Sequence, residues 1–178
     1  MFRFFSRFCC LMLGLFTFGL GIVLMIQADI GYAPWDAFHI GIALTFGLSF
    51  GTAAVLTSVA ILIAVVILKE EIGLGTIFNS VMIGIFADLI LFFDVIPLAA
   101  GYLLGIPMMI VGMFLVATGS YFYMKSSLGA GPRDSLMVAV NKKTSLSIGV
   151  CRSIVEFCAA AIHGTPRGAE HILVPVAA

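Results

Sequence analysis

The chain has 178 residues, 62% hydrophobic and 10% charged, with nine basic and nine acidic residues and a mean hydropathy of +1.20. A soluble domain carries about 25% charged residues, so this chain has too little polar surface to cover a globule in water and belongs in a bilayer. Its zero formal charge singles out no partner beyond the lipid, and neither a nucleic-acid partner nor a cofactor is expected.

The first apolar run, Phe8 to Ala28, reaches the roughly 20 residues that span a hydrocarbon core. It must be helical, because a lone lipid-exposed segment can satisfy its backbone only internally. Arg3 and Arg7 precede it. They do not mark a secretory signal cut after Ala28: the run is too long for a signal core, and Ile26 is large for the position three before a cut. Cys9 and Cys10 at its entrance read as small packing residues.

Residues 29–51, "DIGYAPWDAFHIGIALTFGLSFG", then interrupt the apolar pattern. Gly31 can end the preceding helix in a left-handed conformation, and Pro34 suits the first turn of a new one. Asp36 falls in that turn, where a carboxylate gains about 0.3–1 kcal/mol from the helix dipole. Trp35, Phe38, Ile42 and Phe46 form an apolar stripe. Two readings follow: a short amphipathic helix lying on the membrane face with Trp35 at headgroup depth, or a re-entrant helix tipped inward, its N-terminus facing a shared cavity.

Three further runs, Phe50 to Leu68, Leu74 to Phe93 and Ala99 to Met124, follow with Lys69 after the first. Asp88 lies inside the second of these. An unpaired charge near the midplane costs about 2.5–3.5 kcal/mol on insertion scales, so Asp88 is expected either to have a partner or to carry a proton or ion. Asn79 on the same run can add an interhelical hydrogen bond. The GxxxG spacings Gly47 to Gly51 and Gly101 to Gly105 are expected to serve helix packing.

A second interruption, residues 127–149, "SLGAGPRDSLMVAVNKKTSLSIG", repeats the device with Gly129, Pro132 and Asp134, but has Arg133 in place of Trp35 and Met137 in place of His39. Arg133 either follows a basic bias of the cytoplasmic side or faces a cavity, where it would favour an anionic solute or a lipid headgroup. The last run, Ser147 to His163, carries Arg152 and Glu156 four residues apart. They are expected to pair as helix-gluing ions; alternatively Glu156, like Asp88, carries a proton or ion. Cys151 and Cys158, seven apart, share one face, and the three histidines are too scattered for a metal site.

Seven basic residues (Arg3, Arg7, Lys69, Lys125, Arg133, Lys142 and Lys143) fall on one side, while the opposite loops, about 29–49 and 94–98, have none. That asymmetry puts the N-terminus in the cytoplasm. At an ungapped offset of 98 the chain matches itself nine times: Gly14 with Gly112, Phe16 with Phe114, Gly21 with Gly119, Gly31 with Gly129, Pro34 with Pro132, Asp36 with Asp134, Leu48 with Leu146, Ser49 with Ser147 and Gly51 with Gly149. This is an internal duplication. The first unit, 1–98, has three spans, so the second, 99–163, enters from the opposite face. The expected fold is an all-α membrane protein with five transmembrane helices, a 3+3 inverted repeat lacking its sixth helix, followed by an atypical tail at 164–178. Inverted repeats of interrupted helices recur in secondary transporters.

"GYAPWDAFHIGI", "LSFGTA", "GAGPRDSLMVAV" and "LSIGVCRSIVE" resemble the YczE/YyaS/YitT group of bacterial integral membrane proteins, over roughly residues 12–160. The resemblance implies a multi-pass inner-membrane protein and carries over no catalytic or binding residue. After about Ala161 the chain departs from that group and from its own repeat, continuing "HGTPRGAEHILVPVAA", which reads as a truncation or frameshift, or else as a genuine short form.

The function expected is transport of a small, anionic solute, with Pro34, Trp35, Asp36, Asp88, Pro132, Arg133, Asp134, Arg152 and Glu156 as candidate residues. The alternative is an accessory protein that binds a partner protein or lipid and moves nothing. An enzyme is not expected, since no nucleophile, base or metal set can be assembled. A groove left by the absent sixth helix is expected to destabilise the chain or to recruit a helix from another subunit, making a homo-oligomer.

Overall fold

A computed structural model describes residues 2–70, 72–144 and 146–162. Among them seven helices follow in order, with no strand: α1 (Phe2–Gln27), α2 (Pro34–Phe46), α3 (Phe50–Ile67), α4 (Leu74–Phe92), α5 (Tyr102–Lys125), α6 (Pro132–Thr144) and α7 (Ile148–Ile162). The chain is an all-α membrane protein. Helices α1, α3, α4 and α5 are long and apolar enough to cross a bilayer. Over its described residues α7, on the expected fifth span, has 15 residues, about 22 Å at 1.5 Å per residue. The expected end at His163 and the tail 164–178 lie outside the described residues.

The most extensive pairing joins α1 to α5. Glycine makes it close: a Cβ on Gly14 would sit 2.9 Å from the Gly119 carbonyl oxygen, and one on Gly112 would sit 2.9 Å from that of Gly21. With little hydrophobic force between helices in lipid, such backbone approach is what associates them. The 98-residue offset turns Gly14 into Gly112 and Gly21 into Gly119, so it exchanges one contact for the other. α4 packs on both α3 and α1. A core of Ile22, Val23, Ile26, Ile40, Phe50, Ala87 and Ile90 joins α1, α2, α3 and α4, and a second of Leu11, Leu15 and Tyr123 lies between α1 and α5.

The GxxxG expectation holds for only one glycine of each pair. Gly51 packs on the Gly84 carbonyl and Gly105 on that of Ala28, whereas a Cβ on Gly47 or Gly101 would meet nothing within 4 Å. Those two serve the backbone instead. Gly47 closes α2 in the left-handed region at φ 64°, and Gly101 precedes α5 at φ 84°. The helix stops are also shifted from expectation. The left-handed residues after α1 and α5 are Asp29 (φ 50°) and Ser127 (φ 51°), while Gly31 and Gly129 adopt φ 152° and 139° two residues later. Asp tolerates the left-handed well through its short polar side chain, which leaves glycine for the more extended positive-φ position that a Cβ disfavours. Asp29 and Ser127 are themselves 98 residues apart.

Long side chains tie the helix ends. Arg7 Nε donates to the Ser126 carbonyl at 2.6 Å, and Nη2 to that of Ser127, satisfying carbonyls that α5 leaves open at its C-terminus. At the other end Gln27 Nε2 donates to the Ile96 carbonyl at 2.7 Å, and Ala99 N–H donates to the Gln27 carbonyl at 2.8 Å.

Candidate functional site

Pro34 opens α2 and Pro132 opens α6, each with its Asp in the first turn. The apolar stripe Phe38, Ile42, Phe46 is not the buried face of α2. Phe46 is 71% exposed, and the residues inside are Asp36, His39, Ile40 and Ala43. A helix resting on the membrane surface would keep Asp36 in water; here Asp36 is 5% and His39 1% exposed, and α2 packs against α3 and α7. α6 likewise sits against α3, α7 and α4. Both short helices are built into the helical bundle, and this decides between the two readings of the first interruption in favour of the inward one.

Their N-terminal turns meet. The Arg133 guanidinium lies over the Trp35 ring, 4.6 Å from its centroid, and its Nη2 is 3.5 Å from His39 Nε2. His39 presses edge-on against Phe50, ring centroids 5.7 Å apart. The neighbouring Asp134 accepts a hydrogen bond on Oδ2 from the Tyr123 hydroxyl at 2.7 Å.

These groups wall a cavity of about 200 Å³, whose lining also includes Phe18 and Ile22 of α1, Ser58 of α3, Asn79 and Ser80 of α4, Ser120 of α5, and Arg152 and Glu156 of α7. Asn79 thus faces space. The volume falls below the roughly 300–1,000 Å³ of drug-sized ligand sites. Among the described residues the ion pairs are Lys142 with Glu70 and Arg152 with Glu156, so Arg133 faces the cavity without a carboxylate on it. Arg133 Nη2 thus approaches one ring nitrogen of His39, and the other, Nδ1, is buried with no hydrogen-bond partner among the described residues. An aromatic face stabilises a desolvated guanidinium by about 2 kcal/mol while leaving the planar N–H edge free to grip a carboxylate in two places.

Not every candidate residue belongs to this cavity. Pro132 is on its wall; Pro34 is exposed, and Asp36 is buried off the lining. Asp88 stands apart and has its partners: Gly51 N–H donates to its Oδ1 at 2.7 Å and Ser49 Oγ to its Oδ2, so the charge caps the N-terminus of α3. It borders a second, largely apolar cavity of about 500 Å³ with Ile40, Leu44, Leu89 and Phe92. The Arg152–Glu156 pair forms at 2.8 Å along one face of α7, as the spacing predicts, with the two side chains 65% and 37% exposed. Cys151 is buried and Cys158 exposed, so their shared face is covered only at its start.

Sequence reasoning passed over His39, Tyr123, Ser58 and Ser120 as site residues. His39 was marked by its difference from Met137 in the second copy. Tyr123, Ser58 and Ser120 are isolated polar groups in apolar helices, and without the third dimension nothing says which of the many lipid-embedded polar residues share one cavity.

Residues 5–165 match DUF6198, a family of unknown function. The chain belongs to this family. It is 32% identical over 145 residues to the uncharacterized membrane protein YczE of Bacillus subtilis (strain 168), covering 80% of this chain and 66% of that protein. An uncharacterized protein of Haemophilus influenzae is 32% identical over 146 residues, covering 82% of this chain and 66% of its own length. The uncharacterized protein YyaS of Bacillus subtilis is 32% identical over 146 residues, covering 80% of this chain and 72% of its own. The kinship with YczE and YyaS expected from the two signatures is thereby established, and a bacterial membrane location with it. The chain spans 66% of the length of the first two relatives. No solved structure matches.

Proposed function

We propose that this DUF6198 member is a multi-pass protein of the bacterial cytoplasmic membrane, N-terminus inside, that carries a small solute bearing an anionic group through a site formed between two inverted repeats. The observation that carries this reading is Arg133: a guanidinium on the wall of a cavity, held by an aromatic face and a histidine rather than by a carboxylate. Nature keeps such a charge in a membrane where something must bind it. Transporters with inverted repeats place their solute where the N-termini of interrupted helices converge, and the first turns of α2 and α6 converge on this cavity. The repeat itself is supported by the exchanged glycine contacts of α1 and α5 and by the matching dihedral angles at Asp29 and Ser127.

The proposed role is binding and positioning of a solute rather than catalysis. The test is uptake into vesicles reconstituted with the full chain, using labelled small carboxylates and phosphate. Arg133→Gln is expected to reduce uptake at least about tenfold, the equivalent of one lost charged hydrogen bond, with folded yield unchanged. Parallel loss of uptake and folded protein would return Arg133 to a structural role. A partner protein copurifying in fixed ratio, with no uptake of any solute, would favour the accessory reading.

A further inference from the structure

The charges on the cavity wall balance. Arg133 and Arg152 contribute two positive charges, Asp134 and Glu156 two negative ones, and Arg152 and Glu156 satisfy each other at 2.8 Å. One guanidinium and one carboxylate remain, on adjacent residues in the first turn of α6 yet not ion-paired with each other. Each rests on a neutral group instead: Arg133 on the Trp35 ring and His39 Nε2, Asp134 on the Tyr123 hydroxyl. The tyrosine engages only Oδ2 and leaves Oδ1 unbonded among the described residues.

A purely anionic solute would meet Arg133 but also lie beside Asp134, with the buried Asp36 close enough to Arg133 to interact with its charge. Like charges at close range are costly where little water screens them. A purely cationic solute would face the reverse problem. A solute with both charges meets both groups.

We infer that the site recognises a small zwitterion with its carboxylate and ammonium on neighbouring carbon positions, the pattern of an α-amino acid. The carboxylate takes the free N–H edge of Arg133, and the ammonium takes Asp134 Oδ1. Phe18 and Phe50 on the wall suit a short apolar side chain, and about 200 Å³ leaves no room for a long one. This inference rests on the solute-binding reading above and narrows its chemistry.

The test compares L-alanine, propionate and ethylamine for binding to the full chain in lipid nanodiscs, by calorimetry and by the shift in melting temperature. L-alanine is expected to bind at least about tenfold more tightly than either single-charge probe. Asp134→Asn keeps an amide oxygen that can accept the Tyr123 hydroxyl, so the fold is retained. It is expected to weaken L-alanine to the level of propionate while propionate itself is unchanged or improved. Asp134→Glu, which restores the charge, is expected to recover the preference for L-alanine and so separates charge from any folding defect. If propionate binds the unaltered chain as tightly as L-alanine and loses affinity with Arg133→Gln, the zwitterion inference fails and the anionic reading stands. If none of the three binds, the zwitterion inference fails, and the uptake screen with phosphate and larger carboxylates then decides the broader reading.

Discussion

α2 and α6 share a frame and differ in cargo. Each follows a left-handed residue and a positive-φ glycine spaced alike (φ 50° and 152° before α2, 51° and 139° before α6), starts at a proline and carries Asp in its first turn. On that common backbone the first copy places Trp35 and His39, the second Arg133 and Met137. Of those substituted positions, Arg133 meets both Trp35 and His39 at the cavity wall. The comparison teaches that the repeated Gly, Pro and Asp specify how a helix begins, while the residues between them specify what the beginning can bind. The helices also end differently: α2 closes on a left-handed glycine with no basic residue, whereas α6 ends in Lys142 and Lys143, with Lys142 paired to Glu70 at 2.7 Å.

The largest effect is expected from probing those two ends. Thr45 and Lys143 are equivalent under the 98-residue offset. In intact cells and a background without accessible native thiols, a membrane-impermeant reagent is expected to label Cys introduced at Thr45 and to leave Cys introduced at Lys143 unlabelled. Equal labelling of both would break the inverted relation.

Next comes the contact between the copies. Trp35→Arg sets two guanidinium groups side by side and is expected to cost about 3 kcal/mol, the scale of an uncompensated charge in a membrane. Adding Arg133→Trp restores a cation on an aromatic face with the two helices exchanged. At least half the lost thermal stability should return, as a double-mutant cycle would measure. Purely additive losses would mean that the surroundings of the two helix starts, rather than their facing residues, set the contact.

A smaller difference separates Gly51 from its counterpart Gly149. A Cβ on Gly51 would run into the Gly84 carbonyl and the Asp88 carboxylate, whereas one on Gly149 meets nothing within 4 Å among the described residues. Gly51→Ala is expected to lower stability by about 1–3 kcal/mol through overpacking, and Gly149→Ala to change it by less than about 0.5 kcal/mol. Chemical denaturation in mild detergent reads both. α4 covers α3 in the first half; equal costs would mean that a helix covers α7 as well.

The smallest effect concerns Arg152 and Glu156. Spaced pairs along one exposed helix face are worth about 0.3–0.5 kcal/mol. Glu156→Gln is expected to lower the melting temperature slightly, and Arg152→Met in the same chain to recover part of the loss by removing the stranded charge. Losses that simply add would show that the two side chains do not interact.

The amino-acid sequence by itself determined the class, the helices and the duplicated frame, because these rest on composition and short-range chemistry. An apolar run in lipid can only close its hydrogen bonds as a helix, Pro34 and Pro132 after their glycines suit the first turn of one, and the spacing of Gly31, Pro34 and Asp36 recurs 98 residues later whatever surrounds it. Tertiary structure decided the direction of each short helix and the membership of the site. The stripe Phe38, Ile42 and Phe46 is more apolar than the buried face with its Asp36 and His39, because in a bilayer apolarity no longer separates inside from outside. Only the close approach of α1 to α5 and the packing of α2 and α6 on α3 turn His39 and Asp36 inward, set Arg133 on Trp35, and bring Tyr123 to Asp134. The same packing gave Asp88 to the N-terminus of α3. A charge in a span must find a partner, but which one it finds depends on helices brought together from distant parts of the chain.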